Sequence, residues 1–189
     1  MINRVEVLLP GMILRDGKRI LEAHSTVTLI RAKRGLILVD TSDHRWRQRL
    51  IDALDAADVD PAEVSLVVST HLHHDHVGNN DLFRNARFLA RTEEEPGPEY
   101  AAVGEDMDVD QGVRLMHLPG HTMGTMGVLV QAERVYFITG DALPTKENFD
   151  KWLPPGFHQD KEAALRSMEL MRDCAEVLVP GHGPAFPIR

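Results

Sequence analysis

One cysteine, Cys174, is all the thiol chemistry this 189-residue chain holds. An internal disulfide is therefore excluded, and a reducing, cytoplasmic setting is the expectation. No apolar run approaches the ~20 residues that a membrane helix needs. The opening Met1-Ile2-Asn3-Arg4-Val5-Glu6 lacks the basic stretch and long apolar core of a secretory signal. Basic residues are outnumbered, 21 Lys and Arg against 29 Asp and Glu, so the formal charge is −8. Such a surface as a whole repels nucleic acid, and Arg45-Trp46-Arg47-Gln48-Arg49 reads as a solvated helix face. Internal repeats, low-complexity tracts and linkers are missing too. With 43% hydrophobic and 26% charged residues, the chain has the balance of one globular domain spanning 1–189.

Residues 2–9, 25–31, 36–39, 66–68, 87–90, 113–118, 126–130, 135–139 and 177–179 read as strands from their β-branched and aliphatic content. Trp46, Leu50, Ala53, Leu54 and Ala57 recur at helical spacing, as do Ala164, Met168, Met171 and Ala175. The acidic segment 91–111 reads as an exposed excursion, and 142–157 as a loop rich in proline and aromatics. Strands outnumber helices, and the helices follow groups of strands. That order favours two packed sheets with helices outside over a single parallel sheet.

The informative segment is Thr70-His71-Leu72-His73-His74-Asp75-His76. In extended chain, residues two apart point the same way, so His71 and His73 can grip one metal together. A turn at His74 then aims Asp75 and His76 at a second position, while the His74 side chain faces away. Three later segments, Pro119-Gly120-His121, Thr139-Gly140-Asp141 and Pro180-Gly181-His182, each place a ligand type beside a glycine after a strand. With ten histidines in the chain, a chance His-x-His-x-Asp-His has odds of order 10⁻³. His24, His44, His117 and His158 read as packed or hydrogen-bonded residues, and Cys174 as core.

These motifs resemble the metallo-β-lactamase superfamily, whose signature is His-x-His-x-Asp-His followed by His, Asp and His. The nearest likeness is to compact members of the metallo-β-lactamase domain-containing protein 1 type. They share the His-x-His-x-Asp-His-x-Gly-Asn run, here His71–Asn79, and a Pro-Gly-His-Gly-Pro ending. The ends Val39-Asp40-Thr41 and Val179-Pro180-Gly181-His182 also resemble family elements. The resemblance implies an α/β fold, an αβ/βα four-layer sandwich of two mixed sheets with outer helices. It also implies that His71, His73 and His121 hold one metal, and Asp75, His76 and His182 the other, with Asp141 bridging. Asp75 and Asp141 are then the catalytic carboxylates. Two Zn²⁺ are the expected cofactors, with iron or manganese equally suited to histidine and carboxylate donors.

The implied reaction is attack by a metal-bridging hydroxide on a small ester, thioester or lactone. Two other readings stay open: a mononuclear-iron persulfide dioxygenase, and a phosphodiesterase or ribonuclease acting on RNA or a small nucleotide. Cysteine stands in common β-lactamases where this chain has Asp141, which argues against that activity. The expected partner is a small-molecule substrate, with neither nucleic acid nor membrane, and a homodimer stays open. Segments 91–111 and 142–157 would build the substrate pocket, with Lys146 as an anion-binding cation and Phe149, Trp152, Phe157 and Tyr100 as an apolar rim.

Overall fold

The computed structural model describes residues 2–17 and 19–189. The chain opens with β1 (Arg4–Leu9), β2 (Met12–Asp16), β3 (Arg19–His24), β4 (Val27–Arg31) and β5 (Leu36–Val39), followed by α1 (Arg47–Ala56). Next come β6 (Val64–Val68), α2 (His74–Val77), β7 (Arg87–Arg91), β8 (Tyr100–Val103) and β9 (Met107–Asp110). The last part holds β10 (Val113–His117), β11 (Met126–Gln131), β12 (Val135–Gly140), α3 (Lys146–Asp150), α4 (Lys161–Cys174), β13 (Val177–Pro180) and β14 (Phe186–Pro187).

Two six-stranded mixed sheets result, ordered β1-β4-β5-β6-β7-β8 and β14-β13-β12-β11-β10-β9, with β2 and β3 forming a separate hairpin. Side chains alternate faces along a strand, and here both faces are apolar, so each sheet is covered twice. Ile30, Val39 and Val68 of the first sheet meet Leu115, Val128 and Ile138 of the second in the central core. Their neighbours Leu29, Leu38 and Val67 turn outward onto Leu50 and Leu54 of α1. On the far side Phe137 and Leu178 turn outward onto Met168 and Met171 of α4. The molecule is therefore an αβ/βα four-layer sandwich. Each fully buried aliphatic side chain contributes about 1.5–3 kcal/mol, so no single contact dominates. Asp160 sets the start of α4 by accepting from the backbone N–H of Glu162 and Ala163, both at 2.9 Å.

Three segments depart from the sequence expectations. Residues 91–111 are not simply an excursion, because β8 and β9 lie within them at one edge of each sheet. These strands are four residues long and half exposed, and acidic side chains on β9 blunt its edge, which weakens any alternation signal. Segment 142–157 holds the short helix α3, supported by Lys146–Asp150 and Glu147–Lys151 pairs at (i, i+4). The hairpin β2–β3 was unmarked because its apolar residues do not face a core: Leu14, Ile20 and Leu21 are about half exposed. Among the described residues, no helix is long and apolar enough to cross a membrane.

Candidate metal centre

Four strand ends converge on one edge of the sandwich. After β6 the chain runs extended through His71 and His73 and then turns into α2, which presents Asp75 and His76. The ends of β10, β12 and β13 deliver His121, Asp141 and His182. Cross-links between the sheets hold this edge: Met126 N–H donates to Thr70 O at 2.8 Å, and Thr26 N–H to Gly181 O at 2.7 Å. Gly140 sits at φ +49°, where a Cβ would strike the Thr70 side chain, and a Cβ at Gly181 would overlap the Asp141 carboxylate. Glycine at both places lets backbone approach the crowded centre.

The donor atoms fall into two sets sharing Asp141. His71 Nε2 and His121 Nε2 lie 3.0 and 3.1 Å from His73 Nδ1. Tetrahedral zinc with Zn–N of about 2.0–2.1 Å needs nitrogens roughly 3.3 Å apart, so the spacing suits a cation among them. In the second set, His76 Nε2 and His182 Nε2 lie 3.4 and 3.2 Å from Asp141 Oδ1, and His182 Nε2 lies 3.7 Å from Asp75 Oδ2. Asp141 Oδ2 turns to the first set, 3.6 Å from His121 Nε2. One carboxylate thus faces both groups, one oxygen to each.

Hydrogen bonds on the outer side of the rings decide which nitrogen carries a lone pair. His76 Nδ1–H donates to Asp40 Oδ2 at 2.7 Å, His121 Nδ1–H to Phe157 O at 2.8 Å, and His182 Nδ1–H to His24 O at 2.9 Å. In its neutral form each ring then turns a bare Nε2 inward, the arrangement that metal-binding histidines require. His76 Nε2 and Asp141 Oδ1 are fully buried without a hydrogen-bond partner. Buried polar atoms are rarely left so, and a cation between them would satisfy both.

Charge distribution agrees with that fit. Burial and the neighbouring His76 hold His71 well below the usual histidine range, and burial with His121 lowers His73. Both rings are therefore neutral, the form in which an imidazole can bind a metal. Burial opposes charge on His76 as well, yet the Asp40 and Asp141 carboxylates hold it well above its ordinary value. Burial likewise works against ionised Asp141, but His182 and His76 outweigh it and hold the carboxyl well below the usual range. Without a cation, protons on His76 and His182 offset Asp141; a cation would take their place.

A cavity of about 510 Å³ opens onto this centre. Asp75, Asp141 and His121 form its floor, while Ile13, Ile20 and Leu21 of the hairpin and Phe157 wall it. The Phe157 ring centroid lies 5.6 Å from that of His121 and 5.9 Å from that of His73.

A profile of the family described as "Metallo-beta-lactamase superfamily" matches residues 22–97 and 88–182. The chain belongs to the metallo-β-lactamase superfamily. A Methanocaldococcus jannaschii protein described as "Probable metallo-hydrolase" is 32% identical over 183 residues, covering 94% of this chain and 86% of its own length. The Xenopus laevis metallo-beta-lactamase domain-containing protein 1 is 32% identical over 194 residues, covering 98% of this chain and 82% of its own. Among solved structures, a quorum-quenching N-acyl homoserine lactone hydrolase shares the fold with a TM-score of 0.75 at 23% identity, covering 96% of this chain and 91% of that one. Together these place the chain among the metal-dependent hydrolases of the superfamily, with a His/Asp candidate site.

The structure gathers all seven signature residues, His71, His73, Asp75, His76, His121, Asp141 and His182, at this centre of the metallo-β-lactamase fold. His74 points into solvent, its side chain 86% exposed. His24 stacks on Trp46 with centroids 3.7 Å apart. The residues expected to rim the pocket are placed differently. Lys146, Phe149, Trp152 and Tyr100 do not line the cavity, and of that group only Phe157 does. Phe149 and Trp152 pack beneath α4 on the outer face of the second sheet, Lys146 pairs with Asp150, and Tyr100 accepts from Asn80.

Two further residues matter here to which the sequence reading assigned no role. Asp40, at φ +58° just past β5, accepts from Thr70 N–H at 2.7 Å, Thr70 Oγ1–H at 2.8 Å and the His76 ring. Its signals were a carboxylate closing an apolar run and the likeness of Val39-Asp40-Thr41 to a family element. Glu94 accepts from Leu72 N–H at 2.9 Å and from Thr122 Oγ1–H, tying the loop of His73 to that of His121. Nothing in the Glu93-Glu94-Glu95 run distinguishes it from its solvated neighbours.

Proposed function

We propose that the protein hydrolyses a small ester, thioester or lactone with two zinc ions held by the seven gathered residues. One observation carries this reading: Asp141 turns an oxygen to each of two donor sets at the floor of an apolar-walled cavity. His71, His73 and His121 would hold one zinc, and Asp75, His76 and His182 the other. Bound zinc supplies Lewis acidity and lowers the pKa of water to about 7, which makes a nucleophile available at neutral pH.

The chain's own residues do the rest. Asp40, Phe157 O and His24 O keep three rings in the tautomer that leaves Nε2 bare. Both Asp141 oxygens are turned to donor sets, whereas Asp75 meets its set through Oδ2 and has a second carboxylate oxygen that can take a proton from attacking water and return it to a leaving alcohol or thiol. Ile13, Ile20, Leu21 and Phe157 give an acyl chain an apolar seat and exclude water from it. A volume of about 510 Å³ suits a small molecule. The shared fold of the lactone hydrolase supports including lactones among the substrates, and the net charge of −8 argues against nucleic acid.

Elemental analysis of protein purified without added metal, followed by assay on thioesters, lactones and phosphodiesters, tests the reading. About two zinc per chain with turnover of an acyl substrate is expected. Asp141→Asn should then lose metal affinity or activity by at least about tenfold. One iron per chain with oxygen uptake on persulfides would overturn the proposal.

A further inference from the structure

The cavity is apolar along one wall yet carries an arginine at its mouth. Ile13 and Arg15 stand two apart on β2 and so share one face of the hairpin, and with Ile20 and Ala23 of β3 they line the cavity. Across from them lies the turn that ends in Phe157. The Arg15 guanidinium rests against Gly156 there: a Cβ added to that glycine would come within 2.7 Å of Arg15 Nη1.

The other cations near the site are engaged. Arg45, which also lines the cavity, is held by Asp43 at 2.9 and 3.2 Å. Lys146 is closed off by Asp150 at 2.6 Å. Among the described residues, Arg15 makes no ion pair. Glu22 also lines the cavity, next to a shift in the β2–β3 register, and it makes no ion pair with Arg15.

The charge of Arg15 reaches Glu147, but that carboxylate is paired with Lys151. A guanidinium with no carboxylate in ion-pair contact, beside apolar walls and a polar floor, fits a ligand with matching parts in that order. We infer that the substrate is an anionic acyl compound: its ester, thioester or lactone carbonyl at the floor, an apolar chain along Ile13 and Ile20, and a carboxylate or phosphate at Arg15. This rests on the proposed hydrolase activity and adds the charge of its substrate. Arg15 is then a specificity residue, and its planar fork suits two-point contact with such an anion.

Two measurements separate this inference from the reading beneath it. The first uses the zinc-loaded protein and 4-nitrophenyl half-esters of a dicarboxylic acid series, each beside the neutral ester of equal chain length. At the best-fitting length, Arg15→Gln should lower kcat/KM for the half-ester at least about tenfold, mainly through KM, and leave the neutral ester within about twofold. Arg15→Lys should recover part of the loss. The second measures, by NMR titration of the metal-free protein, binding of an amphiphilic carboxylate against its uncharged amide. Wild type should favour the carboxylate, and Arg15→Gln should remove that preference.

Equal loss on charged and neutral esters, or unchanged carboxylate preference in Arg15→Gln, overturns the inference while leaving hydrolysis standing. If no acyl substrate is turned over, the hydrolase reading falls, and the metal-free titration still decides whether Arg15 selects an anion.

Discussion

Replacing Asp40 with Asn tests how the centre is held without touching a proposed metal ligand. Asp40 is buried, and its two oxygens accept three hydrogen bonds: Thr70 N–H at 2.7 Å, Thr70 Oγ1–H at 2.8 Å and His76 Nδ1–H at 2.7 Å. The backbone should tolerate the change, because Asp40 sits at φ +58° and asparagine is among the residues that accept left-handed geometry. An amide offers one acceptor oxygen and one N–H₂ donor. If its oxygen keeps the Thr70 N–H, its nitrogen faces Thr70 Oγ1 and His76 Nδ1. The threonine hydroxyl can rotate and accept. His76 can accept at Nδ1 only by carrying its proton on Nε2, the atom aimed at Asp141 3.4 Å away. That tautomer cannot bind a metal through Nε2, the nitrogen that faces the centre.

Loss of an outer partner of this kind lowers metal affinity by about 10–100-fold, or roughly 1.4–2.8 kcal/mol. Chelator competition at neutral pH reads the affinity, and thermal melts of the metal-free protein show whether the fold is intact. Zinc binding within about twofold of wild type, with a normal melt, would refute the tautomer argument.

Glu94→Ala should weaken zinc binding by about tenfold, because Leu72 N–H and Thr122 Oγ1–H lose their acceptor and the two loops separate. Glu94→Gln should recover much of this, and equal affinities for all three proteins in chelator competition would remove the strap from the account. Phe137→Ala opens a cavity between the second sheet and α4 and should cost about 3–5 kcal/mol in urea unfolding; a loss below about 1 kcal/mol would contradict the packing described. Arg91 holds the Glu93 carboxyl down at about 2, against 4.5 for an unperturbed glutamate. A depressed acid stabilises above its unfolded value, and that contribution fades as pH falls from about 4.5 towards 2. The difference between wild type and Glu93→Gln, up to about 1 kcal/mol at pH 6 because the group is partly solvated, should shrink over that window; a difference constant with pH would exclude the ion pair as its source.

Much of the architecture could be read from local pattern. Runs such as Leu36-Ile37-Leu38-Val39 and Val177-Leu178-Val179 are apolar at every position, which is what a sheet covered on both faces demands. The donors could be read because a short peptide containing His71, His73, Asp75 and His76 carries much of its geometry in its own spacing. What local pattern could not supply was long-range. Asp40 and His76 stand 36 residues apart, Glu94 and Thr122 stand 28 apart, and neither pairing leaves a mark in composition. The pocket wall escaped for a related reason. Aromatics in a proline-rich segment looked like a rim, yet Phe149 and Trp152 found a better apolar partner beneath α4. The hairpin that does face the cavity has half-exposed apolar residues and an arginine, a pattern no core imposes. Sequence alone thus determined the layers and the set of donor side chains, since both follow from side-chain periodicity and donor type. Tertiary structure alone decided which groups orient the donor residues and which surface lines the cavity, because those contacts form only when distant strand ends are brought to one edge.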